Sequence, residues 1–144
     1  MVSKTLQPGD AHHLEKFVNI HETPYSDVCQ LLELKLSEPE NSLEIDNCIF
    51  LFDPQNNYVF SSAVILGSTY GFFGVKVGTN WLKSAEKLES QGFIQADNLE
   101  RFTQLGEDVS ISVYLYPDNC PDTTMSTVKD YSVCARYGRK RNNL

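Results

Sequence analysis

The sequence predicts an α+β domain in which an antiparallel β-sheet carries two or three helices on one face. Two features carry that prediction. Apolar residues recur at helical spacing in the first forty residues and again after Gly78, and they alternate at period two over 43–66 and 109–116. Turn signals built from Gly, Pro, Asn and Asp separate these stretches.

Asp10 is placed to cap a short helix bearing Leu14, Phe17 and Val18 on one side. Thr23-Pro24 opens a second, with Ser26 and Asp27 at the positive end of the dipole. Tyr25, Val28, Cys29, Leu32 and Leu36 form its apolar stripe, and Pro39 stops it. From Leu43 the chain reads as one buried strand, with Cys48, Phe50 and Phe52 on one side and Ile49 and Leu51 on the other. The turn 53–57 leads into a second strand over 58–66. Gly67, Gly71 and Gly74 punctuate a link whose residues 72–77 read as a short strand or an extended connection. Gly78-Thr79 opens a third helix with Trp81, Leu82, Ala85 and Leu88 inward, and Gly92 ends it in the left-handed conformation.

Residues 93–96 and 101–105 then read as strands around a turn at Asp97-Asn98. Val109, Ile111, Val113 and Leu115 alternate with Ser110, Ser112, Tyr114 and Tyr116, the pattern of a strand with one covered and one open face. A polar loop over 117–124 precedes a last strand over 127–137, and a frayed basic tail is expected over 138–144.

The 144 residues suit a single domain, and 41% apolar content with eight Phe, seven Tyr and one Trp sets the chain apart from disordered compositions. Its apolar runs, such as Ala63 to Leu66, are strand-sized, so no membrane span is expected. The amino terminus shows no secretory pattern, which makes the cytoplasm the expected compartment. Four cysteines without a CxxC pair are expected to be thiols.

The net charge of −7 is unevenly spread. Arg136, Arg139, Lys140 and Arg141 fall in the last nine positions, so residues 1–135 hold 8 bases against 19 acids, a net of −11. Such a body repels a nucleic-acid backbone and attracts a basic protein.

The aromatic-Leu-aromatic strand end at Phe50-Leu51-Phe52 runs into a Pro/Asp/Asn turn, as does Tyr114-Leu115-Tyr116. This echo points to two degenerate repeats, 10–66 and 74–137. Gly74-Val75-Lys76-Val77-Gly78-Thr79, running into a helix and then Gly92-Phe93 before antiparallel strands, resembles the repeat unit of the β-lactamase inhibitor proteins and of BamE-type outer-membrane assembly lipoproteins. The resemblance implies helices on one face of an antiparallel sheet and action by protein contact, and it implies no contact residue. Members of both families are exported, whereas no export signal is seen here. In charge and size the chain is also similar to immunity proteins that neutralise bacterial toxins.

Other constellations are weak. The glycine-rich stretch 71–79 fits neither dinucleotide nor P-loop spacing, and Phe72 and Phe73 oppose close approach to a phosphate, so it reads as a structural turn. His12, His13 and His21 lack ligand spacing and read as surface or helix-end residues; no metal or cofactor is expected. Cys120 lies between Asp118 and Asp122, which disfavour its thiolate. The acid pairs Glu107-Asp108, Asp97 with Glu100, and Glu38 with Glu40 sit in expected turns. The tail bases with Tyr131 and Tyr137 form too small a footprint for RNA.

The expectation is therefore a non-enzymatic binding or inhibitory protein that meets a basic protein partner through Tyr114, Tyr116, Glu107, Asp108 and Asp118. The alternatives are a small hydrolase with an acid-lined cleft and a self-associating module.

Overall fold

The computed structural model describes residues 6–7, 9–97, 99–122 and 124–137. The expected basic tail and Asn98 lie outside them. Among the described residues the chain forms one seven-stranded antiparallel sheet and two α-helices, α1 (Tyr25–Leu31) and α2 (Trp81–Ser90). The strands are β1 (Ser42–Ile45), β2 (Cys48–Asp53), β3 (Val59–Ile65), β4 (Ile94–Gln95), β5 (Arg101–Gln104), β6 (Val109–Pro117) and β7 (Val128–Tyr137). Their order across the sheet is β1-β2-β3-β7-β6-β5-β4. Two meanders thus meet along β3 and β7, the last strand of each.

The register separates the residues into rows. Leu43, Phe50, Ala63, Val133, Val113, Phe102 and Gln95 pair in succession from edge to edge, and the five from Phe50 to Phe102 are buried. The adjacent row, Ser42, Leu51, Ser62, Cys134, Ser112, Thr103 and Ile94, points the other way because side chains alternate along each strand. It is small and polar through its middle. On the buried side, Tyr25 of α1 meets Phe52 edge-on at 4.9 Å and Trp81 of α2 lies tilted on Phe102 at 6.1 Å.

Each helix is entered through a similar set of three backbone hydrogen bonds, one residue tighter before α2 than before α1. Before α1, His21 N donates to Phe60 O, Phe60 N to Thr23 O, and Tyr25 N to Tyr58 O. Before α2, Gly78 N donates to Val128 O, Val128 N to Thr79 O, and Trp81 N to Ser126 O. In both cases the residue that makes the first bond has a positive φ, 68° at His21 and 93° at Gly78. The helix entry is thereby clipped to the start of the last strand of its own half.

Several local expectations are corrected. Residues 10–18 form turns and a 3-10 turn at Leu14–Lys16 instead of a helix. Their backbone groups are committed elsewhere: Leu14 N donates to Gly71 O, Gly71 N to Ala11 O, and Gly74 N to His12 O. Helix α1 stops well before Pro39, because Glu33 turns left-handed at φ 59° and Leu34 N reaches back to Cys29 O, which leaves Leu36 66% exposed. The expected single strand from Leu43 is a hairpin, broken by positive φ at both Asp46 and Asn47, the two-residue turn whose twist matches paired strands. Residues 72–77 contain no strand; Phe73 and Gly74 are left-handed and Val75 N donates to Phe72 O. In α2 the inward stripe is Ser84, Ala85 and Leu88, with Trp81 partly buried, and Leu82 faces out.

Tyr131, buried at the centre of β7, ties the link down. Its hydroxyl donates to Val75 O and accepts from Phe72 N, each at 2.8 Å. Burial pushes its pKa far up, so it stays a neutral donor. Gly71 lies directly against this bond: a Cβ there would come within 2.7 Å of the Tyr131 hydroxyl and 2.5 Å of Val75 O. Among the described residues no helix is long and apolar enough to cross a membrane.

Candidate protein-interaction face

Strand β6 is as long as its alternation, and it delivers Tyr114 and Tyr116 to the row opposite Val113 and Leu115. Tyr114 pairs with Arg101 of β5 on one side and Ser132 of β7 on the other, and Tyr116 pairs with Asp130. Tyr116 is 37% exposed, Tyr114 half-buried. Partial burial raises the Tyr116 pKa, and the negative charge of Glu100, then Tyr114 and Asp130, pushes the same way. The phenol therefore stays protonated, a rigid amphipathic surface carrying a donor.

The same end of the sheet holds a groove of about 330 Å³ lined by Trp81, Leu82, Leu99, Glu100, Pro117 and Asp118. Trp81 is fixed in its wall, since its indole N–H donates to Leu115 O at 2.9 Å. Asn80 starts the helix above it, its side-chain oxygen accepting from Lys83 N at 2.9 Å. Glu100 lines this groove, and its charge also reaches Tyr116 on the opposite face of the strand. Leu99 is 63% exposed beside it. A second depression, of about 280 Å³, lies further along β5, where Ile94 and Leu105 are 63% and 74% exposed near Arg101. Contiguous apolar exposure of this kind marks contact surfaces more often than bare solvent.

The five residues singled out from the sequence do not form one site. Tyr114, Tyr116 and Asp118 lie toward the end of β6, whereas Glu107 and Asp108 are exposed in the reversal before its start, roughly 30 Å away along a nine-residue strand. Asp118 is committed to structure: its carboxylate accepts from Cys120 N at 3.1 Å and from the Thr127 hydroxyl at 2.9 Å, and these two bonds hold its pKa below the usual carboxylate value. It contributes fixed negative charge at the groove rim. Sequence reasoning missed Glu100, Asp130, Arg101, Trp81 and Leu99 as surface partners. Leu82 carried an available signal, because it falls outside the 81, 84, 85, 88 spacing of the buried stripe.

The weaker candidates are dispersed. Among the described residues, which include all four cysteines, no disulfide forms. Burial raises the Cys29 pKa and pushes the Cys48 thiol up to about 11. His12 Nε2 lies 2.7 Å from Ser68 O, and His13 Nδ1 lies 3.4 Å from Glu15. Among the described residues no three His, Cys, Asp or Glu side chains converge as metal ligands. No family model, no curated protein and no solved structure matches the chain.

Proposed function

We propose that this chain is a cytosolic, non-enzymatic binding protein of the inhibitory or immunity kind, which grips a basic protein partner with the uncovered face of its sheet. Both helices screen one side: Tyr25 and Trp81 rest on rings of the buried rows, and the opposite rows reach solvent to varying degrees. The scaffold is read as two tandem helix-and-meander units. The paired helix entries at 21–25 and 78–81, and a strand order that runs outward from β3 and β7, support that reading.

The observation that carries the function is Tyr116, exposed on the uncovered face beside its strand partner Asp130 and within reach of the Glu100 charge. An aromatic anchor next to acids suits an arginine or lysine side chain, whose stem lies along the ring while its charge meets carboxylates. The chain's net charge of −7 adds long-range attraction to the same partner.

The test compares the tagged wild-type chain with a Tyr116→Ala/Glu100→Gln variant as baits in extract of the source cell, with captured proteins identified by mass spectrometry. Expected is a basic protein held by the wild type, released as salt rises, and bound at least about 10-fold more weakly by the variant. Equal capture by both baits, or capture indifferent to salt, overturns the reading.

A further inference from the structure

An acidic chain keeps one cleft in which cations gather. It has a volume of about 430 Å³, and among the described residues lining it are His12, His13, Lys76 and Lys87 and no carboxylate. We propose that this cleft binds a small phosphomonoester, with the phosphate held between His13, Lys76 and Lys87 and the organic body lying toward Phe73.

Three segments build the cleft, and each is fixed by backbone bonds. The pair His12-His13 is pinned to the link because Gly74 N donates to His12 O at 2.8 Å, flanked by the Leu14 N to Gly71 O bond at 3.0 Å. The link then turns sharply, with φ 58° at Phe73 and 79° at Gly74. Helix α2 supplies Lys87, whose ammonium donates to Gly74 O at 3.1 Å and retains two further protons to give.

Gly74 is where the cations meet. A Cβ at this position would lie 3.2 Å from His13 Cε1 and 3.7 Å from Lys87 Cδ, so the missing side chain leaves room between the imidazole and the lysine stem. Glu15 stands behind His13 on its Nδ1 side at 3.4 Å, itself held by the Phe73 N–H at 2.6 Å. That contact orients the ring and turns Nε2 away from Glu15, and Nε2 lies 3.8 Å from the Gly74 Cβ position.

A phosphomonoester suits this arrangement on charge and on size. Its terminal oxygens can accept from the two ammonium groups with the His13 ring beside them, and charge-assisted bonds of this type are the stronger ones. The cleft is larger than a phosphate group and falls within the range of small-molecule pockets. The chain's overall charge of −7 repels anions at a distance, so general attraction contributes nothing and recognition has to be local. The cleft shares no lining residue with the Trp81 groove, so this inference stands apart from the protein-binding reading.

The test is an amide chemical-shift titration of the full chain at constant ionic strength with glycerol phosphate, adenosine monophosphate, inorganic phosphate and chloride. Expected are saturable shifts at residues 12–13, 74–76 and 87 with at least one of the organic phosphates, at lower concentration than inorganic phosphate requires. Lys76→Gln, at an exposed position, and Lys87→Gln should each weaken binding by about 10-fold. The proposal is overturned if no organic phosphate saturates, if chloride or inorganic phosphate reproduces the shifts at equal concentration, or if Lys76→Gln binds as the wild type does.

Discussion

The entries to the two helices are bonded alike along the backbone, and the side chains around them differ. In the amino-terminal half the clipped strand position is Phe60, which packs with Phe50, Phe52 and, in a parallel stack at 6.1 Å, Phe72. In the carboxy-terminal half the corresponding position is Val128, which has no aromatic ring in its strand pair with Pro117. The outward rows differ as much. Ile49, Leu51 and Val64 pack side by side in one half, whereas Tyr114, Tyr116 and Arg101 extend outward in the other. The backbone bonds at the helix entries are satisfied by almost any side chains, so the inner and outer residues are free to diverge around them.

The largest effect is expected from the inner difference. Phe60→Ala should cost about 3–5 kcal/mol and Val128→Ala about 1.5–3 kcal/mol in urea-unfolding free energy, because the ring leaves the larger cavity. Equal losses would show that the clip bonds, not the packing, set the stability of each half. Next comes the tie between the halves. Tyr131→Phe leaves the buried Phe72 N–H and Val75 C=O without their partner and should cost about 2 kcal/mol by the same measurement.

Alkali should act first through the buried Cys48, before the Tyr131 phenol is reached. The folded-state pKa of Cys48, about 11 against an ordinary 9.0, is raised by burial, so the unfolded state ionises first. Its stabilising contribution is complete below pH 9 and is lost between pH 9 and 11. The urea midpoint should fall across that window, and the fall should be shallower in Cys48→Ala. The smallest effect separates the two helices. Asn80→Ala removes the side-chain cap of α2 and should cost about 1 kcal/mol, whereas α1 follows Pro24 and has no such bond, so Pro24→Ala should change stability by only a few tenths of a kcal/mol.

What could be read in the sequence followed from local chemistry. The alternation of 109–116 specified β6, although Ser112 of its predicted open row is buried, and Gly92 ended α2 with φ 94°. Asn57, placed in a turn, does adopt the left-handed region. The errors came where distant bonds override local pattern. Residues 10–18 have helical spacing, yet they pair with the link at 71–74, some sixty positions away. The run from Leu43 looked continuous because apolar residues flank Asp46-Asn47 on both sides, although Asn47 was itself a turn signal. The groove brings together residues 81, 99, 100 and 118, and only the packing of α2 against the end of β6 makes them neighbours.

The strand order also sets a timetable for synthesis. A ribosome releases β1, β2 and β3 early, but β3 lacks its second neighbour until β7, the last of the seven strands to be made. Until then a Phe-rich nascent meander has one bare strand flank, open to pairing with another chain. The slow step of assembly is therefore expected to be the arrival of β7, and shortening the chain before Val128 should yield aggregates instead of a smaller folded protein.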